Sequence, residues 1–139
     1  MMRNAWLRAG LILLIGVDAV VSLWQYLFPR SFFEDVPTVR LDPPFNEHLM
    51  SDVGGLGLAL VTVLVFAAAT MERRLVLAAL TGFAVYALTH LLFHLRHFEH
   101  FSAREALGLG TGLGIEAALT LALLVLYWRL DRGRSREGA

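Results

Sequence analysis

The chain has 139 residues, 57% of them hydrophobic, with a mean hydropathy of +0.61. A soluble domain is nearer ~45–50% apolar, so composition points to the membrane. Formal net charge is zero, which argues against a nucleic-acid partner. The absence of cysteine excludes disulfides, thiolate metal sites and cysteine redox chemistry.

Four apolar stretches, at residues 9–28, 49–70, 75–95 and 106–128, each supply the roughly 20 residues a helix needs to cross ~30 Å of hydrocarbon. They use most of the chain and leave no room for a separate soluble domain. The expected fold class is all-α: an integral membrane four-helix bundle over residues 1–130, followed by a polar, disordered tail at 131–139.

The first stretch begins after Arg3 and Arg8 and has the outline of a signal peptide. Its apolar run continues past Asp18 to Phe28 with no small-x-small cleavage site, so a retained first helix is expected. The segment from Pro29 to Phe45 carries four prolines with Phe32, Phe33 and Phe45, a composition suited to a lid at the membrane interface. Asn46, after Pro43 and Pro44, is the expected N-cap of the second long helix. Residues 71–74 form a tight turn into the third. Ser102-Ala103-Arg104-Glu105 reads as a capping box opening the fourth. Gly54, Gly55 and Gly57 in the second, and Gly108, Gly110, Gly112 and Gly114 in the fourth, are spaced for close helix–helix approach within the bundle or a dimer.

Eight arginines (3, 8, 73, 74, 129, 132, 134 and 136) flank one side of these helices, and four (30, 40, 96 and 104) the other. The positive-inside rule then places both termini in the cytoplasm. Trp6, Trp24, Tyr26, Tyr127 and Trp128 lie near helix ends, as interfacial aromatics do. All twelve basic residues are Arg, a bias of high-GC coding, and the expected location is a bacterial inner membrane.

Ionisable residues inside these helices are the functional signal, because charge is costly in hydrocarbon. His48 and Asp52 are four apart, as are His90 and His94, so each pair shares a helix face. At ~1.5 Å of rise per residue the two pairs match in depth across antiparallel helices. Imidazole and carboxylate are ligands for zinc, iron or copper. The expected first shell of a transition-metal site is therefore His48, Asp52, His90 and His94, open to the extracytoplasmic side. Asp18 and Glu116, deeper in the first and fourth helices, are the candidate catalytic groups that move protons. His97 and His100 belong in or near the outer loop.

A metal there would activate water or oxygen for a metal-dependent oxidoreductase, with a lipid or other lipophilic small molecule entering between helices. A haem b held by His48 and His90 is a second reading. A third is a non-enzymatic accessory subunit, homo-oligomeric or seated in a larger membrane complex. In size, layout and the run Asp-Val-Gly-Gly-Leu-Gly-Leu-Ala-Leu at 52–60, the chain resembles the small four-helix bacterial membrane proteins of the DoxX-like kind. That resemblance implies the fold and little about function.

Overall fold

The computed structural model describes residues 2–41 and 44–137, with side chains for 5–41 and 44–133. Pro43 and the last two residues of the tail lie outside the described residues. Among the described residues the chain is all helical: α1 (Met2–Leu27), α2 (Pro29–Asp35), α3 (Glu47–Thr70), α4 (Arg73–Leu95) and α5 (Ala103–Glu137). All but α2 are long and apolar enough to cross a membrane.

Local chemistry sets the ends. Asn46 Oδ1 accepts from the Leu49 amide at 3.0 Å and opens α3. α3 stops at Met71, which takes the left-handed conformation (φ 52°) usually left to glycine. The Glu72 carboxylate then accepts from the Arg74 and Leu75 amides at 3.1 and 2.8 Å and starts α4. Those two bonds, the Arg74 amide foremost, hold the carboxyl below its ordinary range. Ser102 and Glu105 form the expected capping box, with the Ser102 amide donating to Glu105 Oε2 at 2.9 Å.

Two boundaries differ from expectation. α5 runs through the polar segment to Glu137, because Arg and Glu are good helix formers and Asp131 is held by an ion pair with Arg73. The Pro-rich segment contains α2, which begins with Pro29 in its first turn, where the missing N–H costs nothing. Phe32 is buried beneath it, edge-on to Trp24 at 5.5 Å.

The four long helices form a ring in which α1 packs on α3, α3 on α4, α4 on α5 and α5 on α1. Both described termini and the α3–α4 turn share one end; α2 and the α4–α5 loop share the other. The apolar core fills the terminal end. It joins Leu7, Leu11 and Leu14 of α1, Leu64 and Ala67 of α3, Val76, Leu80 and Phe83 of α4, and Leu123 and Tyr127 of α5. Two polar ties cross it. Arg8 donates to the Ala68 and Ala69 carbonyls, both at 2.8 Å, satisfying the last turn of α3. Arg73 pairs with Asp131.

The glycines divide. At Gly54 a Cβ would lie 2.6 Å from the Tyr26 backbone nitrogen and 3.0 Å from the Ser22 carbonyl oxygen, so α1 and α3 touch backbone to backbone there. Among the described residues nothing lies within 4 Å of a Cβ at Gly108, Gly112 or Gly114, so no such close helix approach occurs there.

Candidate functional site

The interior changes character halfway along the bundle. On α1 the inward stripe runs Leu7, Leu11, Leu14, Asp18, Ser22, in steps of three and four. On α4 it runs Leu80, Phe83, Ala87, His90, His94. On α5, read back from the terminal end, it runs Tyr127, Leu123, Thr120, Glu116. In each case apolar residues give way to polar ones where the core ends. Asp18, Tyr86, His90, His94 and Glu116 are all half-buried.

These side chains are connected. Asp18, Tyr86 and Glu116 lie within electrostatic reach of one another. The Tyr86 ring lies 5.5 Å from the His90 ring, and His90 lies 4.9 Å from His94. The His90 and His94 Nε2 atoms are 3.1 Å apart, a hydrogen bond in which one imidazole donates and the other accepts. Beyond them His97 stacks on Phe93 at 4.2 Å, and its Nδ1–H donates to the Phe93 carbonyl at 2.7 Å. The row thus runs from two mid-helix carboxyls to the end of α4.

The row holds unused hydrogen-bonding capacity. Among the described residues Asp18 Oδ2, Glu116 Oε1 and His90 Nδ1 are buried atoms without a hydrogen-bond partner. No cation pairs with Asp18 or Glu116 among the described residues. Such groups carry a desolvation cost that packing alone does not justify.

The expected metal site does not form. His48 and Asp52 are joined to each other at 3.4 Å, but their side chains are 87% and 58% exposed. Gly54 is the reason. It must face α1, and Asp52, two residues earlier, sits about 200° around the helix from it. The pair therefore points away from the helix–helix contact, and His90 and His94 point into the bundle. Among the described residues no three His, Cys, Asp or Glu side chains converge to hold a metal ion. The transition-metal site of His48, Asp52, His90 and His94, and the metal-dependent oxidoreductase built on it, are thereby overturned. The haem reading fails for the same reason, since His48 is turned outward and His90 inward.

His97 and His100 are exposed near the α4–α5 loop. Tyr86 was not among the expected site residues. Its signal was present: it stands four residues before His90, extending the His90–His94 spacing by one more turn. Comparison with protein-family models, curated proteins and solved structures gives no match to this chain, and so no family support for the DoxX-like resemblance.

Proposed function

We propose that this chain is a proton-handling membrane protein. Asp18 and Glu116 exchange protons in the middle of the bundle, and Tyr86, His90 and His94 connect them to the end that carries α2. The observation that supports this most directly is the His90–His94 hydrogen bond, with Tyr86 beside His90 and two carboxyls that pair with no cation among the described residues. Chains of Asp, Glu and His inside membrane helices are the usual construction of proton relays. An imidazole that accepts at one nitrogen and donates at the other passes a proton along such a row, and a carboxyl pair changes its net charge by taking one up or releasing it. The arginine distribution supports both termini in the cytoplasm of a bacterial inner membrane, with His94 near the extracytoplasmic face.

Proteoliposomes with an entrapped pH dye and an imposed potassium diffusion potential test the function. The intact chain should acidify the lumen faster than empty vesicles, and Asp18→Asn, Glu116→Gln and His90→Phe should each remove the difference. Flux equal to empty vesicles, or unchanged flux in all three variants, would sink the reading. The chain has no native cysteine, so single cysteines at Val39 and Gly133 report orientation cleanly through labelling by an impermeant maleimide. Labelling of position 133 from outside intact cells would reverse the topology.

A second reading, an accessory subunit of a membrane complex, is favoured by the uncovered α5 glycines at 108 and 112. Its mark would be a normal pattern of assembly in the proton-row variants together with no flux in the intact chain.

A further inference from the structure

The terminal end of α5 carries two stripes with opposite tasks. Tyr127, Leu130 and Asp131 face the bundle, where Asp131 meets Arg73 beside Leu7 and Val76. Val125, Trp128, Arg129 and Arg132 follow one another at i, i+3, i+4 and i+7, so they lie on a single face. They line a groove of about 400 Å³ on the outside of the helix. Val125 and Trp128 are 50% and 47% exposed, and both arginines are exposed.

Two other arginines at this end make a useful contrast, whereas Arg74 is exposed at the start of α4, away from the groove residues. Arg8 is committed to the α3 carbonyls and Arg73 to Asp131. Among the described residues Arg129 and Arg132 make no ion pair or hydrogen bond, and the nearby carboxylate of Asp131 is turned inward onto Arg73. Two guanidinium groups, an indole and an apolar wall thus stand together near the end of the apolar span of α5, where an interface would fall. A guanidinium matches phosphate oxygens two at a time, indole favours the headgroup level, and Val125 lies one turn deeper beside acyl chain. Basic pockets on transmembrane helices at an interface hold anionic headgroups by this combination.

We propose that the Val125–Trp128–Arg129–Arg132 groove is a binding site for an anionic phospholipid, its headgroup phosphate taken by the two arginines and its acyl chain laid along Val125 and Trp128. The shared chemistry is a phosphate anion, and the lipid is preferred over free phosphate because half of the lining is apolar and opens toward the hydrocarbon. This proposal does not depend on proton transfer.

Native mass spectrometry of the delipidated full-length chain tests it, with equal amounts of phosphatidylglycerol and phosphatidylcholine added in mild detergent. The phosphatidylglycerol adduct should dominate by about fivefold for each arginine engaged. Arg129→Gln with Arg132→Gln should bring the two lipids near parity, and Arg96→Gln with Arg104→Gln at the opposite end should leave the preference intact. Excess inorganic phosphate should not displace the lipid. Equal binding of both lipids by the intact chain overturns the proposal without recourse to any variant. So does a preference that survives loss of both groove arginines. Displacement of lipid by inorganic phosphate would make the groove a free-anion site and overturn it as well.

Discussion

His48–Asp52 on α3 and His90–His94 on α4 have the same spacing and matching depth, yet they meet different surroundings. The first pair is an exposed side-chain contact on the outside of the bundle. The second is half-buried and continues a row that reaches two carboxyls. Spacing puts two side chains on one face, but the neighbours that force a helix to turn decide where that face looks. On α3 that neighbour is Gly54, which must lie against the Tyr26 backbone. On α4 it is the Leu80, Phe83 and Ala87 stripe, which must reach the core.

If the contrast is functional, its largest expression should be in proton flux. Replacing His90 by Phe, or Glu116 by Gln, should lower flux by about tenfold or more. His48→Ala and Asp52→Asn should stay within a factor of about two, since neither touches the row. Equal losses in both sets would erase the distinction between the pairs.

Next comes the packing that creates the contrast. Gly54→Leu drives a side chain into the α1 backbone and should cost about 1–3 kcal/mol, read as a lower midpoint in reversible detergent unfolding. Gly112→Leu, where nothing lies within 4 Å, should change stability by about 0.5 kcal/mol or less. A Gly112 variant as damaging as the Gly54 one would mean that α5 has a partner beyond this chain.

A smaller loss is expected at the terminal end. Arg8→Gln removes two charge-assisted bonds to the last carbonyls of α3 and should cost about 1–2 kcal/mol in the same assay. The smallest effect belongs to Glu72. Its folded carboxyl is held below its ordinary value near 4.5, so the cap's contribution is fully present above that value. It disappears as pH falls through the lower folded value. Glu72→Gln should therefore lower stability slightly at neutral pH, where the ionised cap contributes, and abolish the further small loss on acidification. An unaltered acid limb in that variant would show that the cap is not titrating there.

Much of this architecture is legible without coordinates. Twenty-residue apolar runs have few alternatives to spanning helices, and Asn46, Ser102 and Glu105 announce caps through chemistry local to a few residues. Local chemistry also explains why α2 was open to recognition from Pro29 and Ser31, whose hydroxyl accepts from the Trp24 indole at 3.0 Å. Depth of the polar residues follows from rise per residue. Rotation about each helix axis does not, because it is fixed by contacts with another helix. Hence Asp18, Glu116, His90 and His94 belong to one interior, whereas His48 and Asp52, equally plausible by depth, do not. The α5 glycines show the same limit: Gly54 and Gly112 carry similar signals, and only one meets a backbone.

The two ties at the terminal end, Arg8 to the α3 carbonyls and Arg73 to Asp131, have a mechanical consequence. They bind α1 to α3 and α4 to α5 at one extremity, beside the apolar core, which makes that extremity the fixed end of the bundle. At the other extremity α1 and α3 are still held together at Gly54, so opening is expected between α4 and α5, whose tips lie where His94 sits. Backbone amide exchange should accordingly be slowest around Leu64–Ala68 and Val76–Phe83 and fastest along the last turn of α4 and the first turns of α5, with water reaching the interior row by way of the tips.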